Sequence, residues 1–234
     1  MTGTLFGLGI GPGDPDLITL KALKILNKAP VLAYPTLDDG ESLARAIVAP
    51  HLTGDQTEVP IRIPMAIERK PAQDAYDKAA IEIKSYLQNG QDVAVLCEGD
   101  PFFYGSFMYL FGRIAEDFPV EVVPGVSSLT ACATALQAPL SARNDILTVL
   151  PAPLDTETLR IGIEAADSLA IMKVGRHFER VRQLINDMGL DGNAHYIERA
   201  TLQNEKIMPL NDVPQDSAPY FSMILIHKRG QAWK

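Results

Sequence analysis

Gly7, Gly9, Gly11 and Gly13 alternate with Leu8, Ile10 and Pro12, and Asp14-Pro15 close the run. Four glycines within seven positions suit a loop that a ligand or another backbone approaches closely. A Cβ atom would block such an approach, and glycine accepts a positive φ without strain. Pro12 fixes one φ angle and removes one donor, which stiffens the loop. The chemistry this fits is the holding of a small ligand by backbone groups. It is not the loop of a dinucleotide or nucleoside-triphosphate site. Reading G-x-G-x-x-G from Gly7 places Pro12 at the third glycine, and reading it from Gly9 places Asp14 there; no P-loop lysine follows.

Two further loops share that character. The apolar run Val93–Cys97 leads straight into Glu98-Gly99-Asp100-Pro101-Phe102-Phe103-Tyr104-Gly105-Ser106. In parallel sheets ligands bind outside the carboxyl ends of strands, which is where this loop must lie. Gly99 permits a turn or a close approach, and Asp100 can bond a hydroxyl or amine or, more plainly, cap the next helix. Pro124-Gly125-Val126-Ser127-Ser128 again follows a strand and opens a helix, where either serine could serve only as a cap. The four histidines show no paired spacing, so no metal site is expected, and no Ser–His–Asp or Cys–His arrangement is visible.

These loops need a scaffold of alternating strands and helices, and the first half supplies it. Thr4–Ile10, Val31–Tyr34, Glu58–Ile61, Asp92–Cys97 and Val120–Val123 read as strands. Between them, Thr19–Lys28, Glu41–His51, Ala72–Asn89 and Phe103–Glu116 read as helices, with a further one at Ser127–Leu136. Strands apolar on both faces imply a mainly parallel sheet covered by helices. After Pro139 the texture changes: strands at Ile146–Leu150 and Leu169–Val174 alternate with helices at Thr156–Ala166 and His177–Met188. Ala194–Thr201, Lys206–Leu210 and Tyr220–Lys228 then follow with little helix between, which favours hairpins and a mixed sheet. The expectation is two α/β domains, 1–123 and 124–234.

Composition narrows the partners. With 47% apolar and 21% charged residues the chain has enough core material to fold unaided. No window approaches ~18 uninterrupted apolar residues, so no membrane partner is expected. A net charge of −8 argues against nucleic acid. Cys97 and Cys132 lie in apolar runs and read as buried thiols, which suits a reducing compartment. The sequence as given opens on a strand without a signal segment, and a cytoplasmic location is expected.

The three loops, in this order and spacing, resemble those of the tetrapyrrole methylases of cobalamin and sirohaem biosynthesis. Gly13-Asp14-Pro15-Asp16-Leu17-Ile18-Thr19-Leu20-Lys21-Ala22, Phe102-Phe103-Tyr104-Gly105-Ser106-Phe107-Met108-Tyr109-Leu110 and Ile171-Met172-Lys173-Val174-Gly175-Arg176 resemble more narrowly the branch that methylates C20 of precorrin-2. Pro219-Tyr220-Phe221-Ser222-Met223 fits that branch too. The resemblance implies a homodimer of two-domain subunits with S-adenosylmethionine bound between the domains. It further implies cofactor contacts at Pro12, Gly99, Asp100, Tyr104, Ser127, Ser128, Met172 and Ala200, although Met172 without the family reads as plain core. A sulfonium methyl is already electrophilic and the acceptor carbon electron-rich, so positioning suffices. Tyr104 or Glu98 could assist a later proton loss, and no catalytic residue is assigned.

The implied acceptor carries many carboxylates and calls for basic contacts. Lys173 and Arg176, at a strand end, are the expected substrate-binding residues. Arg180 and Arg182 read as a solvated helix face, and Arg45 and Arg62 are weaker candidates. Three rivals stand beside this reading. One is a single-domain methyltransferase, which usually carries an acidic residue where Phe6 stands. Another is a family member acting on a cobalt-containing acceptor or at a different macrocycle position. The third is a non-catalytic tetrapyrrole carrier, which would leave the three loops without purpose.

Overall fold

The computed structural model describes residues 1–37, 40–64, 69–215 and 218–230. The chain divides into two units, Met1–Ser127 and Ser128–Lys234; the sequence places the boundary slightly earlier, near Pro124.

The N-terminal unit is built on five strands: β1 (Leu5–Gly9), β2 (Val31–Leu37), β3 (Thr57–Ile63), β4 (Val93–Cys97) and β5 (Val120–Val123). They form an all-parallel sheet in the order β3-β2-β4-β1-β5. All five residues of β4 are buried, as a strand covered on both faces requires. Helices α1 (Leu20–Leu26) and α2 (Leu43–Val48) pack one face, where Ala22, Leu26 and Ile47 meet Leu8, Leu32 and Leu96. Helices α3 (Arg69–Gln88) and α4 (Phe107–Ile114) pack the other, where Ile83, Leu87 and Phe107 meet Leu5, Val93 and Val95. Each leucine so enclosed contributes roughly 1.5–3 kcal/mol.

This arrangement dictates where a ligand can sit. β1 feeds α1 on one face and its neighbour β4 feeds α4 on the other, so their outgoing loops diverge at the carboxyl ends. That divergence is the switch point at which open parallel sheets bind ligands.

Local signals set the helix boundaries. Thr19 caps α1, its Oγ1 accepting from the Ala22 amide, and Ser42 caps α2 through the Arg45 amide. The helix expected from Glu41 therefore begins only after Ser42, and its last turn tightens to a 3-10 turn at Ala49–His51, where Pro50 removes a donor. The helix expected from Phe103 begins at Phe107, because Tyr104 stands at φ 55° and interrupts helical backbone.

The C-terminal unit opens with α5 (Ser128–Ala135) and carries β6 (Leu147–Pro151), α6 (Thr156–Ala165), β7 (Ser168–Met172) and α7 (Phe178–Asp187). It finishes with β8 (Ala194–Glu198), β9 (Lys206–Pro209) and β10 (Ser222–His227). The sheet runs β6-β7-β10-β8-β9. β6 and β7 are parallel, and β10 is antiparallel to both flanking strands. β8 and β9 make the expected hairpin, whereas β10 returns to the centre, where six consecutive buried residues suit it. Leu159, Ile163, Val181 and Ile185 of α6 and α7 bury against Ile171, Tyr196 and Ile224. On the opposite face Cys132 and Ala133 of α5 join Ala170, Met172, Ile197 and Met223.

Candidate functional site

At the switch point three loops are fastened to one another through their backbones. The Gly99 amide donates to the Gly11 carbonyl at 2.8 Å, and the Ile10 amide to the Cys97 carbonyl at 3.1 Å. Asp100 fastens the third loop: its Oδ2 accepts from the Gly125 amide at 3.1 Å and its Oδ1 from the Phe102 amide at 2.9 Å. The approach is as close as the glycines suggest. A Cβ on Gly125 would stand 2.1 Å from the Gly99 oxygen and 2.7 Å from Gly9 Cα. Gly99 turns at φ 67°, where a side chain would be strained. Pro12 sits partly buried between Gly11 and Gly13, stiffening the first loop.

The site residues expected in this unit therefore fall into one neighbourhood. Pro12, Gly99 and Asp100 belong to loops bonded together, and Ser127 lies two residues beyond Gly125. Asp100 does not cap a helix, since α4 starts seven residues later; its carboxylate braces the loops instead. Tyr104 is exposed, and its ring meets Phe103 edge-on at 5.2 Å. Glu98 points to the α2 side, where its carboxylate accepts from the Ala44 amide, and burial pushes its pKa up. Burial also raises the thiols of Cys97 and Cys132, each to about 12, so both are inert at neutral pH.

Arg45 is committed to Glu58, bonding both carboxylate oxygens, while the Tyr34 hydroxyl donates to the same group at 2.6 Å. Those bonds hold the Glu58 carboxyl below its ordinary range. Arg45 and Arg62 line a cleft of about 400 Å³ on the α2 side of the sheet.

In the C-terminal unit the structure gathers a second set. Ser128 is the first residue of α5. Met172 and Ala200 are both buried in one apolar cluster, with Ile197 and Met223 between them in the sheet. Lys173 follows Met172 at φ 57°, and Arg176 is exposed in the 3-10 turn Gly175–His177. Arg180 and Arg182 are not a solvated face, as the sequence suggests. Arg180 donates to the Ala152 carbonyl and Arg182 to the Val213 carbonyl, so both tie loops to α7. Burial, then the charges of Arg176 and Arg180, lower the pKa of His177.

Sequence reasoning picked out Ala200 after β8 but missed its neighbours Arg199 and Thr201. Arg199 at φ 52° and Thr201 at φ 69° join Lys173 as left-handed residues at the end where β7 and β8 finish. Each costs roughly 1–2 kcal/mol of backbone strain, and such outliers gather where function over-determines the fold. Glu198 is buried beside them, bonded to Tyr196 and Arg199. Only the charged pair Glu198-Arg199 at the end of an apolar strand could have hinted at this. Among the described residues no group of three or more His, Cys, Asp or Glu side chains is placed to hold a metal, and no helix is long and apolar enough to cross a membrane.

Comparison with known proteins agrees with this architecture. The family model for tetrapyrrole (corrin/porphyrin) methylases matches residues 4–213. The chain is 38% identical over 232 residues to cobalamin biosynthesis protein CobIJ of Mycobacterium bovis, covering 96% of this chain but 46% of that protein. It thus spans about half the length of that relative. It is also 38% identical over 232 residues to a precorrin-2 C(20)-methyltransferase of a Sinorhizobium species, covering 96% of this chain and 95% of that one. A uroporphyrin-III C-methyl transferase from Thermus thermophilus, solved with S-adenosylhomocysteine, has the same fold. Its TM-score is 0.67 at 22% identity, over 97% of this chain and 99% of that one. The chain belongs to the tetrapyrrole methylase family.

Proposed function

We propose that this chain is the S-adenosylmethionine-dependent methyltransferase that adds a methyl group to C20 of precorrin-2, giving precorrin-3A in corrin biosynthesis. The observation that carries this reading is the 38% identity to the Sinorhizobium enzyme along nearly the whole of both chains. The site is compatible with the cofactor. Backbone groups of three loops converge at the switch point, and a Cβ would fill the approach between them. A cofactor complex in a protein of the same fold supports the same assignment.

When bound, S-adenosylmethionine supplies an electrophilic sulfonium methyl to the electron-rich acceptor carbon. The protein's task is alignment and exclusion of water, which is proximity and orientation catalysis. In this reading Pro12, Gly99, Asp100, Tyr104 and Ser127 hold the cofactor. Asp100 acts through its brace to Gly125 as well as by contact. Ser128, Met172 and Ala200 complete the cofactor contacts, and Lys173 and Arg176 take acceptor carboxylates. A homodimer working in the cytoplasm is part of the same proposal.

Calorimetry with S-adenosylhomocysteine tests it. The wild type should bind, and Gly99→Val should lose binding while its circular dichroism stays native, because valine cannot adopt φ 67° without moving the loop. Unchanged affinity in that variant would remove the loop from the site. Incubation with precorrin-2, with and without cobalt, followed by mass analysis for one added methyl, decides the acceptor's metal state.

A further inference from the structure

Glu198 ends β8 with its side chain only 6% exposed. Its Oε2 accepts from the Tyr196 hydroxyl at 2.8 Å and its Oε1 from Arg199 Nη1 at 2.8 Å, with Lys206 Nζ 3.5 Å from Oε1. Burying a carboxylate beside an arginine rarely adds stability over apolar packing of the same volume. The arrangement is better explained by what it fixes. The Arg199 amide donates to the Phe221 carbonyl at 2.8 Å, the backbone turns left-handed there, and Glu198 holds one edge of the guanidinium. The arginine side chain nevertheless stays 32% exposed, so it presents further donors outward. A fixed guanidinium fork matches the planar pair of oxygens of a carboxylate, as it does those of a phosphate.

The sheet register supplies a second cation. Met172 and Ile197 both stand opposite Met223, and Glu198 stands opposite Ser222. Lys173 follows Met172 directly out of β7, so it leaves the sheet at the end where Glu198 closes β8. Both cations occupy left-handed positions at the same end of one sheet.

The geometry points to Arg199 as a carboxylate-binding residue, with Glu198 as its positioning residue. The identity of the carboxylate rests on the proposed function, whose two ligands both carry the group: the acceptor on its side chains, and the cofactor on its methionine moiety.

Calorimetry with precorrin-2, S-adenosylhomocysteine and 5′-methylthioadenosine, which lacks the carboxylate, separates these sources. Arg199→Ala should bind precorrin-2 roughly ten- to a hundredfold more weakly while binding both nucleosides as the wild type does. An equal loss confined to S-adenosylhomocysteine supports the site and assigns it to the cofactor's carboxylate. Arg199→Lys should recover part of the affinity, and Glu198→Gln should raise the KM of the affected ligand with little change in kcat. Wild-type affinity for all three probes in Arg199→Ala would overturn the inference. So would an equal loss of all three, 5′-methylthioadenosine included, which would mark a residue that only holds the fold. Should the wild type take neither precorrin-2 nor S-adenosylhomocysteine, the proposed function falls. Titration with tricarballylate then still decides: weaker binding to Arg199→Ala supports the anion site, and equal binding overturns it.

Discussion

At the carboxyl end of the N-terminal sheet the chain turns on glycine; where β7 and β8 end in the C-terminal sheet it turns on lysine, arginine and threonine. Both ends need unusual backbone. In the first, Gly9, Gly99 and Gly125 let three loops touch without side chains between them, and Asp100 locks two of the loops together. In the second, Lys173, Arg199 and Thr201 accept the left-handed conformation at a cost, and the fold retains the side chains that a glycine would have removed. The contrast suggests a division of labour: a backbone cradle in one unit, and charged side chains held in fixed positions in the other.

The largest effect should come from filling the cradle. Gly125→Ala sets a methyl 2.1 Å from the Gly99 oxygen, with backbone on both sides and no flexible group to yield. A loss of about 3 kcal/mol or more in chemical denaturation is expected, the upper end of overpacking costs. A loss below 1 kcal/mol would mean that the loops are not held this closely.

Next in size is the brace. Asp100→Ala removes the acceptors of the Phe102 and Gly125 amides and should cost roughly 1–3 kcal/mol. Asp100→Asn keeps one acceptor and should cost less. Equal losses in the two variants would show that charge, not the bonding pattern, is what matters there.

At the opposite end of the comparison, Thr201→Gly should stabilise the protein by up to about 1 kcal/mol. It relieves a β-branched residue at φ 69° while leaving the bond from its amide to Glu205 in place. Destabilisation would show that the threonine side chain outweighs the strain.

The smallest effect concerns pH. Burial raises the Glu98 carboxyl in the folded state, so the unfolded chain ionises it first. Stability should therefore decline as pH rises from the ordinary carboxyl value through the raised folded one, and Glu98→Gln should flatten that slope. An unaltered slope would place the group in water.

The two ends also differ in how far they could be read from sequence. Glycine reports a steric need by its identity, so the loops at Gly9, Gly99 and Gly125 were legible before any coordinates, as was the mainly parallel sheet implied by Val93–Cys97 and its like. The start of α4 was not, because Phe103, Phe107 and Leu110 keep helical spacing and the left-handed turn at Tyr104 leaves no mark in that pattern. Lys173 could be picked out as a strand-end cation, but its left-handed turn, like that of Arg199, leaves no mark in composition. The roles of Arg180 and Arg182 were hidden for another reason. Their partners are carbonyls of Ala152 and Val213, distant in sequence, and an arginine on an amphipathic helix looks solvated until those loops are placed.

The central claim is methyl transfer to one carbon, and position-resolved labelling addresses it most directly. Incubation of precorrin-2 enriched in ¹³C at C20 with S-adenosylmethionine carrying a ¹³C methyl, followed by carbon NMR of the product, should give one new methyl resonance, split by its coupling to C20. A methyl at any other macrocycle position, or an unmethylated macrocycle from protein that binds S-adenosylhomocysteine normally, would contradict the account.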